Sequence, residues 1–165
     1  LSIAKVWKNG TTFNLTDGTN DAIAYSVYVI GADVYVSGYE SNGVKNVAKI
    51  WKNGISTNLT NGNYDACANS IFISGTDLYV AGFENDGARD VPKIWKNGVS
   101  TSLPLLSSNG GNVYSVYVLD QDIYSTGDDY NGSQGFGRIW KNGDISILPS
   151  ITSSPYSYTR SIFVK

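Results

Sequence analysis

A chain of 165 residues with a formal net charge of −2 is long enough for one folded domain and carries no excess of basic residues. This charge balance provides no basic surface for nucleic acid or anionic lipid. Histidine is absent, which removes the commonest general base and the commonest metal ligand together. No apolar stretch approaches the roughly 20 residues that a membrane-spanning helix needs.

The tetrapeptide Trp-Lys-Asn-Gly occurs four times and divides the chain into repeats. Its tryptophans are Trp7, Trp51, Trp95 and Trp140, at intervals of 44, 44 and 45 residues. A period between about 20 and 50 residues is typical of solenoids, propellers and other stacked arrays.

Each repeat is predicted to contain four short strands, which we name a, b, c and d in chain order. In the first full repeat they fall at residues 26–29, 33–36, 48–52 and 55–59. These segments are rich in β-branched and aromatic residues, are bounded by turn residues and show no helical period. The sequence therefore predicts an all-β protein built from four-stranded antiparallel units.

The Asn-Gly pair between strands c and d predicts a two-residue hairpin turn, because a type I′ turn requires two residues that tolerate positive φ. In the first full repeat this turn places Lys52 opposite Ile55 and Trp51 opposite Ser56.

The polar loop between strands b and c predicts a second register, in which Glu40 pairs with Lys49 and Gly38 lies opposite Trp51. An indole laid over a strand glycine shields backbone from water, a packing known as aromatic rescue. The same alignment pairs Glu84 with Lys93, Gly82 with Trp95, Asp129 with Arg138 and Gly127 with Trp140. We therefore expect a structural role for these repeat residues: Trp7, Trp51, Trp95, Trp140, Gly38, Gly82 and Gly127.

The first full repeat contains three motifs in order: Ser-Φ-x-Val, Gly-x-Asp-Val-Tyr-Val-x-Gly-Tyr-Glu and Lys-Ile-Trp-Lys-Asn-Gly. This pattern resembles the repeat arrays of secreted or lipid-anchored bacterial β-propeller proteins, mostly of unassigned function. The resemblance covers the whole chain. It implies a β-propeller of four-stranded antiparallel blades with a repeat of about 44 residues, and a secreted or cell-surface location. The chain differs from WD40 repeats, because Lys rather than Asp follows the Trp, and from kelch repeats, because it lacks their double glycine.

The predicted blades form a single domain, 1–165, with units at about 1–25, 26–69, 70–114, 115–160 and 161–165, of which the first and the last are partial. The last unit is expected to be a single closing strand, which completes the sheet that contains residues 4–8. Three arrangements fit: a four-bladed ring with a defective blade, a fragment of a larger propeller, or a half-ring that dimerises into about eight blades. We favour the last two, because open blade faces are apolar patches that monomers rarely expose. A start at Leu1 without any methionine is typical of a processed or excised piece.

Propeller proteins usually bind ligands on the face that carries the d–a and b–c loops, and these loops are rich in Asn, Asp, Gly and Tyr here. Such residues hydrogen-bond hydroxyl groups and stack on sugar rings, although turns prefer the same types. The residues predicted to bind a ligand are Asp21, Tyr64, Asp65, Asn112, Asp128 and Asp129. Variation among the d–a loops, beside nearly identical strands, favours binding.

Catalysis is not expected, because glycosidases use two carboxyl groups about 5–10 Å apart, whereas Asp128 and Asp129 are strand neighbours that point to opposite faces. The segment from Asp129 to Gly132 begins like a calcium loop, but Trp140 stands where an EF-hand has its bidentate Glu. No metal and no cofactor are therefore expected. Aspartates that follow the a–b turn are predicted to cap it: Asp33, Asp77 and Asp122.

The single cysteine, Cys67, excludes an internal disulfide and aligns with Ile23, so we predict a small buried side chain. Two functions from different classes remain open. The first is a non-enzymatic, secreted or surface-displayed module that binds a glycan or protein ligand. The second is a structural or oligomerising scaffold without a small-molecule ligand, whose partner is a second copy that completes a larger propeller.

Overall fold

The computed structural model describes residues 1–132, 134–148 and 157–165. In these residues the chain forms fourteen strands and no helix, which confirms the prediction of an all-β protein. The strands are β1 (Lys5–Lys8), β2 (Thr11–Asn14), β3 (Ala22–Ile30), β4 (Asp33–Ser41), β5 (Asn46–Lys52), β6 (Ile55–Asn58), β7 (Ala66–Ser74), β8 (Asp77–Asn85), β9 (Asp90–Lys96), β10 (Val99–Ser102), β11 (Gly111–Leu119), β12 (Asp122–Asn131), β13 (Gln134–Lys141) and β14 (Asp144–Ile147).

These strands form four antiparallel sheets, which we number I to IV along the chain. Sheet I is the hairpin β1–β2, and sheets II, III and IV are the four-stranded meanders β3–β6, β7–β10 and β11–β14. Each meander contains the predicted strands a, b, c and d in that order, whereas sheet I contains only strands c and d.

The c–d turns have the predicted geometry. Both turn residues have positive φ, for example 51° at Asn53 and 84° at Gly54. Lys52 lies opposite Ile55, as the type I′ turn requires, so the predicted c–d register is confirmed.

The predicted b–c register is wrong by two residues. Gly38 lies opposite Lys49 rather than Trp51, and Trp51 lies opposite Val36, with the same shift in sheets III and IV. The ion pair that suggested the register does form, with Glu40 Oε2 2.6 Å from Lys49 Nζ. It joins diagonal positions, which long side chains reach as readily as directly opposite ones, so it does not fix the register. The equivalent ion pairs are Glu84–Lys93 and Asp129–Arg138.

The b-strand glycines are required by strand a and not by the tryptophans. A Cβ atom on Gly38 would lie 1.9 Å from the carbonyl oxygen of Ile23, and one on Gly82 or Gly127 would meet the equivalent carbonyl at 1.8 or 1.9 Å. The carbonyl comes this close because strand a bulges immediately after Ala24. Aromatic rescue is therefore not the reason for these glycines.

In sheets II, III and IV, the Lys and Asn of the Trp-Lys-Asn-Gly turn hold the a–b turn of the same sheet. In sheet II, Asn53 Nδ2 donates to Asp33 Oδ1 at 2.8 Å, and Asn53 Oδ1 accepts from the backbone N–H of Val34 at 2.9 Å. Lys52 Nζ lies 2.8 Å from Asp33 Oδ2, and these two donors hold the pKa of Asp33 below its ordinary value. Asp77 and Asp122 repeat the arrangement. The predicted aspartates thus act at the turns, but their partners lie in the neighbouring c–d turn.

Successive sheets pack face to face, and three of the repeat tryptophans lie in the interfaces between them. Trp51, Trp95 and Trp140 are at most 1% exposed, and each belongs to a different apolar cluster. This is the packing that a structural role requires. Trp7 is 64% exposed, because no sheet among the described residues covers the face of sheet I that carries it.

The a strands form the inner edge of this stack, where one contact repeats from sheet to sheet. The N–H of Ile71 donates to Ser26 Oγ at 3.3 Å, and that of Val116 donates to Ser70 Oγ at 3.2 Å. Two residues beyond each serine, aromatic rings form a row with centroids 5.3 and 4.7 Å apart: Tyr28, Phe72 and Tyr117. Since the d strands of the described sheets make no comparable contacts with one another, the sheets fan outward from this edge.

Residues 157–165 continue the same pattern beside sheet IV. The N–H of Ile162 donates to Ser115 Oγ at 3.3 Å, and the ring of Phe163 lies 5.2 Å from that of Tyr117. Residues 157–165, where the closing strand is predicted, contain no strand. No extensive contact joins sheet I to sheet IV among the described residues, so the stack is open there.

Candidate functional site

Each a strand of the meanders contains one β-bulge at the same repeat position. The register of β3 shifts between Ala24 and Ser26, and β7 and β11 shift at the equivalent positions. The extra residues are Tyr25, Asn69 and Tyr114. A bulge takes its extra side chain out of the regular alternation of the strand. Because the three a strands are neighbours, the three side chains come together.

These side chains line one cavity of about 510 Å³, which we name the bulge cavity. The volume is within the range of small-molecule binding sites. Arg160 lines it from the C-terminal segment and directly precedes a serine, as Tyr114 does in β11. The remaining walls come from the ends of strands a, b and c nearest the d–a and b–c loops: Tyr39, Asn46, Cys67, Phe83 and Asn112.

Both polar atoms of the Asn69 side-chain amide form hydrogen bonds, which hold the side chain in place. Its Nδ2 donates to Asn112 Oδ1 and to the carbonyl of Val113, both at 2.8 Å. Its Oδ1 accepts from Cys67 Sγ at 3.1 Å. Asn69 therefore joins sheet III to sheet IV and fixes the wall that they share.

Other polar groups of the bulge cavity are available to a ligand. Within the part of the chain that the structure describes, the hydroxyls of Tyr25 and Tyr39, the side-chain amide of Asn46 and the Nδ2 of Asn112 make no hydrogen bond. Burial raises the pKa of both tyrosines, so their hydroxyls stay protonated and able to donate at neutral pH. The two rings lie 6.2 Å apart between centroids and form an aromatic wall.

Arg160 supplies the positive charge at the bulge cavity. Its guanidinium lies 4.4 Å from the centre of the Tyr114 ring, a cation–π contact. Among the described residues it forms no salt bridge, so the guanidinium can meet an acidic group on a ligand.

Asp128 is a buried carboxyl group beside the bulge cavity. It lies directly opposite Asn112 and therefore on the same face of sheet IV. Its side chain is fully buried, and neither carboxyl oxygen meets a donor in hydrogen-bonding geometry among the described residues. Burial raises the pKa of Asp128, although the nearby hydroxyls of Tyr130 and Tyr114 and the charge of Arg160 act in the opposite direction. The two hydroxyls lie 3.1 Å apart, and burial raises their pKa values as well.

One of the six residues predicted to bind a ligand, Asn112, lines the bulge cavity, and Asp128 is buried opposite it on the neighbouring strand. Asp129 belongs to the opposite face of β12, where its Oδ1 lies 2.8 Å from Arg138 and its Oδ2 accepts from the N–H of Leu106. The two adjacent aspartates therefore have separate surroundings on opposite faces of β12.

The other three predicted residues lie outside the bulge cavity. Asp21 Oδ1 accepts from a backbone N–H of the segment before β1 at 2.7 Å. Asp65 pairs with Lys45 Nζ at 2.7 Å and accepts from the N–H of Asn46. Tyr64 is 46% exposed and lines a separate cavity of about 500 Å³. Two of these residues therefore connect segments of the fold, and the third faces a different surface.

The sequence analysis did not identify most of the bulge cavity. The residues that it missed are Tyr25, Tyr39, Asn46, Asn69, Phe83, Tyr114 and Arg160. One signal was present: the residue before each repeat serine varies as Tyr, Asn, Tyr and Arg, while the serine itself is unchanged. A varied position beside an unchanged one indicates a side chain that is not part of the repeated packing.

Cys67 is buried as predicted, and burial raises the pKa of its thiol to about 12. The thiol is therefore uncharged at neutral pH and unreactive.

The described residues contain no group of three or more acidic or cysteine side chains arranged to hold a metal ion. Nor do they include a helix with the length and apolar character needed to cross a membrane. No protein-family model and no curated protein matches the chain. The arguments about function therefore come from the chemistry of the bulge cavity.

Proposed function

We propose that the protein is a non-enzymatic binding module that holds a glycan in the bulge cavity. One observation carries the proposal: the bulges of three a strands bring aromatic rings and unpaired polar groups into a single cavity. Tyrosine rings stack on the apolar faces of sugars, and free amides and hydroxyls bond to sugar hydroxyl groups. Arg160 favours glycans that carry an acidic group.

The same cavity argues against hydrolysis of the ligand. Glycoside hydrolysis commonly uses two carboxyl groups about 5–10 Å apart on either side of one bond. Among the described residues no carboxyl group lines the bulge cavity. Asp128 is buried opposite Asn112, and Asp129 is paired with Arg138 on the other face of the strand. Binding without reaction is the function that this arrangement supports.

We further infer that sheets II, III and IV are blades of a β-propeller. The support is the repeated serine contact, the row of aromatic rings and the outward fan of the d strands. In this arrangement the a strands line the central channel, and the bulge cavity opens at the loop-bearing end. A secreted or cell-surface location, which the resemblance implied, fits a module that meets external glycans.

The test is a glycan-array screen of the purified protein, with and without calcium, followed by titration of the glycan that binds best. We expect Tyr25→Ala to weaken binding at least about tenfold, because a buried aromatic contact at the centre of a site commonly supplies more than about 1 kcal/mol. Tyr64→Ala is the matched control, since Tyr64 is 46% exposed, close to the 51% of Tyr25, and lies outside the cavity. Arg160→Gln should reduce binding of acidic glycans more than that of neutral ones.

Loss of binding in Tyr64→Ala but not in Tyr25→Ala would move the site to the separate loop cavity. A blank array with a folded protein would contradict a glycan ligand.

The open ends of the stack favour a second candidate, the oligomerising scaffold. Trp7 is 64% exposed at one end and Phe163 is 67% exposed at the other. The equivalents of Trp7 inside the stack are buried, and those of Phe163 are half-buried. Light scattering tests it: a scaffold that joins through these ends gives a mass of at least two chains, and a monomer of about 18 kDa contradicts it.

A further inference from the structure

Asp128 occupies a repeat position that holds an aromatic ring in the other two meanders. Tyr39 and Phe83 directly follow the b-strand glycine of sheets II and III, as Asp128 does in sheet IV. Both rings line the bulge cavity. The residue opposite Asp128, Asn112, lines the cavity as well. Sheet IV therefore has a carboxyl group at the point where the repeat otherwise supplies an aromatic wall.

The C-terminal segment covers the side of sheet IV on which Asp128 lies. Gly137 is directly opposite Asp128 and so shares its face. A Cβ atom on Gly137 would lie 3.0 Å from the methyl group of Thr159, so the segment packs closely against this face. Arg160 follows in the same segment and lines the bulge cavity. Asp128 and Arg160 thus belong to the same side of the sheet.

The ring of Tyr114 connects Asp128 with the bulge cavity. It lines the cavity, and its centre lies 4.4 Å from the guanidinium of Arg160. Its hydroxyl approaches the carboxyl group of Asp128 and lies 3.1 Å from the hydroxyl of Tyr130. The positive charge of Arg160 acts on Asp128 in these surroundings and lowers the pKa of the carboxyl group, against the larger effect of burial. Such an interaction is stronger inside a protein than in water.

The other ionisable groups around Asp128 provide no second positive charge on this face among the described residues. The groups that face it are Tyr114 from β11, Tyr130 from β12, Arg160 from the C-terminal segment and, packed against Gly135 of β13, Tyr158. Asp129 lies on the opposite face, where it pairs with Arg138, although its charge still opposes ionisation of Asp128. Arg160 is therefore the cation with which Asp128 interacts.

We propose that Asp128 makes the bulge cavity a pH-dependent site, which binds acidic glycans more tightly as the pH falls. The inference rests on the proposed glycan function and names its regulation. When Asp128 is ionised, its negative charge competes with the acidic group of a ligand for the field of Arg160. When Asp128 takes up a proton, that competition ends. Asp128 acts through Arg160 and Tyr114 and is a positioning residue, since it does not line the cavity.

The direction of the pH dependence follows from linkage. A ligand carboxylate beside Arg160 offsets the charge that favours ionised Asp128, so binding raises the pKa of Asp128. Because the coupling is reciprocal, the protonated protein binds the acidic ligand more tightly by the same factor. Burial already raises the pKa of Asp128 in the free protein, which moves the change toward neutral pH. Affinity should therefore rise as the pH falls through the pKa of Asp128 and become constant below it.

The first experiment needs no ligand. The titration of Asp128 is followed in the full chain through the NMR signal of its carboxyl carbon, which is assigned by its loss in Asp128→Asn. Arg160→Gln should raise the pKa of Asp128, because it removes the charge that favours the ionised form. Lys165→Gln removes an equal charge from the same segment outside the cavity and should leave the titration unchanged. An unchanged titration in Arg160→Gln would overturn the proposal.

The second experiment measures binding of two probes, glucuronate and glucose, which share a sugar ring and differ in the carboxylate. Titrations of the full chain are compared from about pH 8 down to about pH 4, a range that includes a raised aspartate pKa. The affinity for glucuronate should increase about fivefold or more over this range, and that for glucose should not. Asp128→Asn should bind glucuronate with the same affinity throughout, at the level of the unmodified protein at low pH.

The outcomes separate this inference from the glycan function itself. If glucuronate binds with the same affinity across the range, or keeps its pH dependence in Asp128→Asn, the role of Asp128 is wrong although the cavity binds glycans. If neither sugar binds at any pH while Arg160→Gln still raises the pKa of Asp128, the coupling of the two residues is supported and the glycan ligand is contradicted.

Discussion

Gly82 shows how one missing side chain shapes both the strands and the cavity. Its Cα faces the backbone of the bulged strand β7 so closely that a Cβ would lie 1.8 Å from the carbonyl oxygen of Cys67. Cβ atoms essentially never approach another atom this closely, so an alanine here must displace the bulge. The bulge also presents Asn69 to the cavity, and glycine at this position therefore supports the site indirectly.

We expect Gly82→Ala to lower the free energy of unfolding by about 3 kcal/mol or more, because the clash is with backbone and not with a flexible side chain. Gly98→Ala is the matched control in the same sheet. Its Cβ would meet nothing within 4 Å, and only the positive φ of 84° opposes it, which costs about 1–2 kcal/mol. Urea denaturation measures both, and equal losses would show that the bulge yields easily.

The sequence identified the glycines as repeat residues but gave the wrong reason for them. Glycine, tryptophan and an acid–base pair recur together, and this association is compatible with two registers that differ by two residues. Only the position of strand a, which the b–c alignment does not include, decides between them.

At the scale of elements, the Asn of the c–d turn joins two hairpins in sheets II, III and IV. In sheet III the side chain of Asn97 accepts from the N–H of Leu78 at 2.8 Å and donates to Asp77 at 2.8 Å. The nearby ion pair between Lys96 and Asp77 is about half exposed, and such pairs contribute little to stability. The hydrogen bonds of the Asn are therefore the more important connection between the a–b and c–d turns.

Asn97→Ala is expected to destabilise the protein more than Asn9→Ala, by about 1–2 kcal/mol. Both substitutions place alanine at a φ of 51°, so the strain is common to the two variants. Asn9, however, has no a–b turn to bind among the described residues. Thermal or urea unfolding of the pair isolates the hydrogen bonds, and identical stabilities would contradict their importance.

At the scale of the whole molecule, the stability of each sheet depends on how many of its faces are covered. Sheet III lies between sheets II and IV and contributes to two apolar clusters. Among the described residues, sheet I is a single two-stranded hairpin with an exposed tryptophan. In a linear stack, each unit is stabilised mainly by its nearest neighbours, so the ends open first.

Native-state hydrogen exchange should therefore be slowest at the amides of β7, β8 and β9 and fastest at those of β1 and β2. The reason is that opening sheet III breaks two interfaces, whereas opening sheet I breaks one. Mass spectrometry of exchanged peptides gives the order directly. Uniform protection along the chain would instead indicate one cooperative unit with no weak end.

The sequence by itself determined the repeat, the fourteen described strands in their order and the geometry of the c–d turns. These features follow from local chemistry, since an Asn-Gly turn and alternating β-prone residues act within a few positions of each other. The three b–c ion pairs were also predictable, because long charged side chains tolerate an error of two residues in register.

Only the tertiary structure decided the b–c register, the exposure of Trp7 and the composition of the bulge cavity. Tyr25, Asn69 and Tyr114 are about 44 residues apart in sequence, and each is displaced by a bulge that no local pattern reveals. They meet because successive a strands pack against one another along the inner edge of the stack. Whether such side chains meet depends on how whole sheets pack against one another. The repeat period predicts how many sheets there are, but it does not predict where their atoms lie.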